Sequence, residues 1–551
     1  MYPKKELAQI VISACHQYHI DTVVVSPGSR NAPLTIGFSN HPSINTLSIV
    51  DERCAAFFAL GIAQQTKKPV AIVCTSGSAV LNYYPAIAEA FYSKLPLVVI
   101  SADRPKHLID IGDGQTIRQE NVFQNHILFS ANLIEDASKN EYNINLVSEA
   151  LQIAIHKKGP IHINVPFDEP LYEVVDKLQE FKFENVIASE TKQSFKITKF
   201  SKIWNSSTQK MILIGANSPN EVLQNLMNQF TEDDSVIVLT ETTSNIGLEK
   251  VINSIDKLIF PISEEEFEDL KPEVLVTFGG MIVSKKVKQF LRKFSPKHHW
   301  HIDEQRAMNT YRCLSEFIKE KPSVFLTELI SESTIVRSEF QSKWLQLKKY
   351  RAGKHQEYLS GIAHSDLKVF EQVLESIPNN SQLQLGNSSV VRYAQLFDVN
   401  KTLNVFCNRG TSGIDGSTST AIGAAFAAKN QTVFITGDLS FFYDSNALWN
   451  TYIPPNFRII IVNNDGGGIF RFIPGPKSTN ALSYFETPHQ LSAEHLCKMY
   501  QLEYNSVATS IDLKIALEDF YQDSTKPKVL EVFTDKLVNE KVLKEYFNFL
   551  K

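Results

Sequence analysis

The sequence predicts an α/β protein of three doubly wound parallel-sheet domains, and three observations carry that prediction. Its 551 residues exceed what one hydrophobic core organises. Short β-branched runs recur along it, alternate with helical segments and stop at small or polar residues, as parallel strands joined by crossover helices do. Two of these runs end in polar, glycine-rich motifs, where open α/β sheets bind ligands.

In the first domain, residues 1–182, the strands are Thr22-Val23-Val24-Val25, Val70-Ala71-Ile72-Val73, Leu97-Val98-Val99-Ile100 and Ile161-His162-Ile163-Asn164-Val165. Helices over Ala55 to Gln65 and Tyr84 to Tyr92 alternate with them. A polar stretch, about Glu180 to Lys202, reads as a linker. The middle domain, residues 200–338, has strands at Met211–Ile214, Val236–Leu239, Val274–Phe278 and His299–Ile302. A charged helix over about Glu339 to Glu357 leads to the third domain, residues 360–551, with strands near Leu383, Val405, Val433, Ile460 and Val529. Units of this size match ordinary domains.

Composition narrows the function. A 43% hydrophobic and 21% charged chain is ordinary for a soluble globular protein. The net charge of −5 gives no basic signal, which argues against a nucleic-acid partner. No run approaches the ~20 apolar residues of a membrane span, and the N-terminus carries no signal-peptide apolar region. The six cysteines are scattered and read as buried free thiols. A cytoplasmic enzyme is the expectation.

The motifs supply the chemistry. Gly437-Asp438-Leu439-Ser440 follows Thr432–Thr436, and Asn463-Asn464-Asp465-Gly466-Gly467-Gly468 follows Arg458–Val462. Each alone is common turn chemistry. Together they set a carboxylate and an amide oxygen at the ends of two strands, with room between for one crossover helix. Such hard oxygens suit Mg²⁺, which keeps coordination sites for phosphate oxygens and water. The glycines let backbone approach an anion. Gly112-Asp113-Gly114 with Asn140 imitates the pair, but no apolar strand leads into it.

Three α/β units with a metal-diphosphate motif in the last resemble the thiamine-diphosphate enzymes of the decarboxylase and acetolactate-synthase type. The resemblance implies that the first domain holds the aminopyrimidine and the third the diphosphate. It assigns Glu52, in Val50-Asp51-Glu52-Arg53, to the pyrimidine, a role requiring a partly desolvated carboxyl. A helix N-terminal acid is the bland alternative. Thr75-Ser76-Gly77-Ser78-Ala79 looks like the family's turn beside the cofactor. Four further segments, Ser26–Leu34, Ala102–Pro105, Gln115–Gln119 and Asn408–Gly416, are similar to those of the family's menaquinone-biosynthesis branch, and Leu439 suits that branch.

Carried over residue by residue, the resemblance implies Asp438, Asn464 and the Gly466 carbonyl as ligands of Mg²⁺ (or Mn²⁺). Gly437, Ser440, Ser388 and Ile469 are implied beside the cofactor, and Ile414 as the wedge that bends it. Asp465 stands where the family often has a third Asn. The implied reaction is decarboxylation of 2-oxoglutarate and conjugate addition of the resulting carbanion to isochorismate. These two dicarboxylates call for cations: Arg30, Arg104, Arg392 and Arg409, with Lys285 and Lys286. Lys286 replaces the family's usual Arg. Ser29, Arg30 and Gln115 are the implied catalytic companions of Glu52, and Phe470 an apolar wall. A homodimer or dimer of dimers is implied as well. Another thiamine-diphosphate lyase, such as an acetolactate synthase or 2-oxoacid decarboxylase, is the alternative. A non-catalytic cofactor-binding protein of this fold is the third reading, against which Glu52 speaks.

Overall fold

The computed structural model describes residues 1–183, 196–473 and 475–551. Its first unit contains β1 (Tyr2–Pro3), β2 (Thr22–Val25), β3 (Asn45–Ser48), β4 (Val70–Cys74), β5 (Leu97–Asp103), β6 (Ser130–Asn132), β7 (Ile161–Pro166) and β8 (Val174–Val175). Six of these form a parallel sheet in the order β3-β2-β4-β5-β7-β6, while β1 and β8 pair separately and antiparallel. Side chains alternate between its faces, and both faces are buried, so the central strands are mainly apolar, with buried Ser101, Asp103, His162 and Asn164 as the polar positions of β5 and β7. Val23 and Val25 join the core under helices Glu6–Gln17 and Asn140–Lys157. Val24 joins the core on the other face.

The middle unit has β9 (Lys210–Ile214), β10 (Val236–Thr240), β11 (Val274–Phe278), β12 (His298–Ile302) and β13 (Glu316–Ile318), ordered β10-β9-β11-β12-β13. In the third lie β14 (Gln382–Leu385), β15 (Asn404–Cys407), β16 (Thr432–Gly437), β17 (Phe457–Asn463), β18 (Glu503–Val507) and β19 (Lys528–Phe533). Their parallel order, β15-β14-β16-β17-β19-β18, repeats that of the first unit. Strand order therefore reverses between β2 and β4, and again between β14 and β16, creating the crevice where such sheets take ligands.

The four large-sheet strands absent from the sequence reading, β3, β6, β13 and β18, are all sheet edges. Being partly solvated, they carry polar residues such as Asn45, Asn132, Glu316 and Asn505 and lack the apolar signature of their neighbours. The expected linker at 180–202 falls partly on 184–195, outside the described residues. Its end is helical, since Ile197–Ser206 forms a helix that buries Phe200 and Trp204 four residues apart.

The first and third units share one core. Helix Glu52–Thr66 packs on helix Ser417–Ala427 so closely that a Cβ on Gly423 would lie 2.0 Å from the Phe58 carbonyl oxygen. One on Gly61 would lie 2.1 Å from that of Thr420. Gly423→Ala is therefore expected to destabilise the protein by ~1–3 kcal/mol through overpacking. Gly353→Ala, on helix Phe340–Leu359 where the added Cβ meets nothing within 4 Å, is expected to stabilise by up to ~1 kcal/mol. Thermal unfolding of the two variants checks both signs.

Candidate active site

At the end of β16 the chain turns directly into helix Asp438–Tyr443. The Asp438 carboxylate is buried there and accepts backbone N–H groups from both motifs. Its Oδ2 receives Asn464 N at 3.1 Å and Gly466 N at 2.9 Å, and its Oδ1 receives Leu439 N at 2.6 Å. This carboxylate is what folds the β17 turn over the end of β16. The turn needs left-handed backbone at Asp465 (φ 68°) and Gly466 (φ 131°). At Gly466 a Cβ would also lie 2.3 Å from the Glu486 carbonyl oxygen, so glycine is required.

Asn464 donates its Nδ2 to Asp366 Oδ2 at 2.8 Å, which leaves its buried Oδ1 without a hydrogen-bond partner. Orphaned buried oxygens are rare in folded proteins and ask for an explanation. With the Asp438 carboxylate and the Gly466 carbonyl this oxygen makes a hard-oxygen donor set, and the residues fit a divalent cation. Asp465 is turned away, with Oδ2 3.6 Å from Lys536 Nζ. His489, which carries no motif in the sequence, brings Nε2 to 3.4 Å from Asp438 Oδ2; that carboxylate is the main cause raising its pKa. Asp366 also escaped the sequence reading. Burial pushes its pKa up to about 6 against the hydrogen bonds it accepts.

Two more turns, after β14 and β15, stand at the strand ends beside the crevice between β14 and β16. Ser388, half-buried at the start of helix Ser389–Ala394, has φ 67° and ψ −123°. A non-glycine residue held there is strained, and such strain clusters at functional sites. Its carbonyl accepts Arg392 Nη1 at 2.6 Å. Asn387 donates to the carbonyls of Asn408 and Gly413 and accepts Arg409 Nη1 at 2.7 Å. Ser440 Oγ donates to the Ile414 carbonyl at 3.1 Å. The buried Glu89 carboxylate, on helix Tyr84–Ser93, secures the same loop by accepting Gly410 N and Thr411 N at 2.7 and 2.6 Å.

Arg392 and Arg409 thus lie together. Burial, then the charge of Arg409, lowers the pKa of Arg392. From the middle unit, buried Glu241 accepts Val283 N and Ser284 N, both at 2.7 Å, and so fixes the start of helix Lys285–Lys293. Lys285 is exposed on this helix, and Lys286 lies over the rings of Phe260 and Phe267. Lys288, which the sequence reading did not single out, is the lysine whose charge is felt with those of Glu241, Arg409 and Arg392. Beyond the β17 turn, Ile469 and Phe470 are half-buried, and Phe470 meets the Phe485 ring at 5.2 Å.

A second group sits at the strand ends of the first sheet. Glu52 opens helix Glu52–Thr66, half-buried, and its Oε2 accepts Asn82 Nδ2 at 3.2 Å. It lines a cleft of ≈ 480 Å³ with Pro27, Val50, Asn82 and Trp449 among others. Arg30 is buried, donates Nη1 to the Phe167 carbonyl at 2.8 Å and leaves its Nε unpartnered. Burial and the nearby Arg104 lower its pKa. Ser29 is exposed beside it. Gln115 is also exposed, at φ 53°, and its backbone packs against the Gly77 turn. Gln119, buried below, accepts Gly77 N at 2.8 Å and donates to Asn164 at 3.0 Å, anchoring the loop that carries Gln115.

Comparison with known proteins finds family matches over most of the chain. Residues 5–131 match the family described as thiamine pyrophosphate enzyme, N-terminal TPP binding domain. Residues 183–385 match the middle domain of thiamine pyrophosphate enzymes, and residues 385–532 the C-terminal TPP binding domain. A 2-succinyl-5-enolpyruvyl-6-hydroxy-3-cyclohexene-1-carboxylate synthase of Flavobacterium johnsoniae is 55% identical, with both chains covered in full. Synthases of the same name from Flavobacterium psychrophilum and Christiangramia forsetii are 53% and 51% identical, again over the whole of each chain. The chain belongs to the 2-succinyl-5-enolpyruvyl-6-hydroxy-3-cyclohexene-1-carboxylate synthase family of thiamine pyrophosphate enzymes.

Proposed function

We propose that this protein decarboxylates 2-oxoglutarate and adds the remaining four-carbon unit to isochorismate, forming 2-succinyl-5-enolpyruvyl-6-hydroxy-3-cyclohexene-1-carboxylate for menaquinone synthesis. Thiamine diphosphate, when bound, supplies a nucleophilic carbon and an electron sink for this chemistry. The observation that carries the reading is the orphaned Asn464 Oδ1 beside Asp438 at the crevice that also holds Arg392 and Arg409. Asp438, Asn464 and the Gly466 carbonyl would hold Mg²⁺ or Mn²⁺, and Gly437, Ser440, Ser388, Ile414 and Ile469 would hold the cofactor beside them. Glu52 holds a proton on the pyrimidine side, with Ser29, Arg30 and Gln115 near it. Arg30, Arg104, Arg392 and Arg409 pair with substrate carboxylates, with Lys285 and Lys286 as further cations, and Phe470 excludes water.

The same reading makes the protein a homodimer or a dimer of dimers, each site combining the first domain of one subunit with the third of another. Its support is apolar surface beside Glu52: Val50 and Trp449, 43% and 54% exposed, line the same cleft. The protein works in the cytoplasm, and among the described residues no helix is long and apolar enough to cross a membrane.

The test is optical: isochorismate loss should require 2-oxoglutarate, thiamine diphosphate and a divalent cation together. Pyruvate turned over faster than 2-oxoglutarate would move the assignment to an acetolactate synthase or simple decarboxylase. Arg409→Ala removes a charge-assisted contact worth ~1.5–3 kcal/mol, and a fall of ~10- to 100-fold in kcat/KM is expected. Steady-state kinetics at saturating cofactor check it.

A further inference from the structure

We infer that Asp366 is a positioning residue for the metal site: it dictates which way the Asn464 side-chain amide faces. The inference rests on the reading of Asp438 and Asn464 as metal ligands. Asp366 opens helix Asp366–Ser376, the first helix of the third unit, 98 residues before Asn464, and is 2% exposed. Its two oxygens take three side-chain donors. Oδ2 accepts Asn464 Nδ2 at 2.8 Å; Oδ1 accepts Thr534 Oγ1 at 2.6 Å and Asn539 Nδ2 at 2.9 Å. Asn539 closes the ring by accepting Asp366 N at 2.7 Å and donating to Thr534 at 3.0 Å.

An ionised carboxylate only accepts hydrogen bonds, whereas an amide has one accepting and one donating end. With every partner of Asp366 a donor, only the Nδ2 end of Asn464 can face it. The Oδ1 end is forced to the opposite side, where it stands buried and unpartnered next to the Asp438 turn. A flipped amide would present N–H groups to a cation and set two acceptors against each other at Asp366. The ring therefore ties the beginning and end of the third unit to the orientation of one ligand. Partners of this kind, lying behind a ligand, typically tune metal affinity by ~10- to 100-fold.

Asp366→Asn tests this, because an asparagine offers either end and no longer forces the amide. The probe is Mn²⁺ titrated into protein at fixed thiamine diphosphate, with free Mn²⁺ followed by EPR and the melting temperature of metal-free protein recorded in parallel. The midpoint is expected to rise ~10- to 100-fold in Asp366→Asn. It should rise less in Asn539→Ala, which keeps the carboxylate and removes one of the two donors to its Oδ1. A midpoint within twofold of wild type in whichever variant folds overturns the inference, even if its melting temperature falls, since that is a purely structural role. Failure of the wild-type protein to take up Mn²⁺ would instead overturn the ligand assignment, and the inference with it.

Discussion

Asp438→Ala is expected to abolish turnover at any practical cofactor concentration. The substitution removes a carboxylate from the donor set and deletes the acceptor of Leu439 N, Asn464 N and Gly466 N. The β17 turn, with left-handed backbone at Asp465 and Gly466, then loses the group that fastens it to β16. Losing a metal's charge stabilisation costs several kcal/mol, roughly 10³-fold or more in rate. Asp438→Asn keeps the shape and one acceptor oxygen but not the charge, so it should fall between wild type and Asp438→Ala. Calorimetric titration with thiamine diphosphate and Mg²⁺ separates the steps: both variants should show weakened binding before any effect on chemistry. Tight binding by Asp438→Ala would refute the placement of the diphosphate.

Glu52→Gln should do the reverse, binding cofactor within a few-fold of wild type while turnover falls. General acid–base groups contribute ~10²- to 10⁴-fold, so kcat should drop by that range with KM little changed. The competing explanation is a helix N-terminal acid. Asp51 already caps helix Glu52–Thr66 by accepting Cys54 N at 3.1 Å. If Glu52 served only the helix dipole, glutamine would cost ~0.3–1 kcal/mol of stability and leave kcat intact. Paired measurements of kcat and melting temperature therefore decide between the roles.

Much of this was legible in the sequence, for reasons particular residues make plain. Strands buried on both faces announce themselves, Val70–Cys74 by being apolar end to end and Phe457–Asn463 by its unbroken apolar run from Ile459 to Val462, as do the polar turns that follow them. Edge strands such as Glu503–Val507 face solvent on most positions and do not. The same division runs through the site. Asp438 and Asn464 follow strong strands in recognisable order, but Asp366, His489 and Glu241 act across distances that only the fold creates. On helix Lys285–Lys293 the family resemblance favoured Lys285 and Lys286. The packing of that helix sets Lys286 over two phenylalanine rings, while Lys288 Nζ donates to the Ile282 carbonyl at 2.9 Å and its charge is felt with those of Glu241 and the arginines.

A carbon–carbon bond formed at the expense of a carboxyl group is tested most directly by stoichiometry. The protein is incubated with uniformly ¹³C-labelled 2-oxoglutarate, unlabelled isochorismate, thiamine diphosphate and Mg²⁺, and CO₂ and product are followed by NMR and mass spectrometry. One labelled CO₂ should be released for each isochorismate consumed, with the four remaining labelled carbons joined to the intact isochorismate ring. Labelled CO₂ released while isochorismate stays unchanged would contradict the account and leave a simple 2-oxoacid decarboxylase.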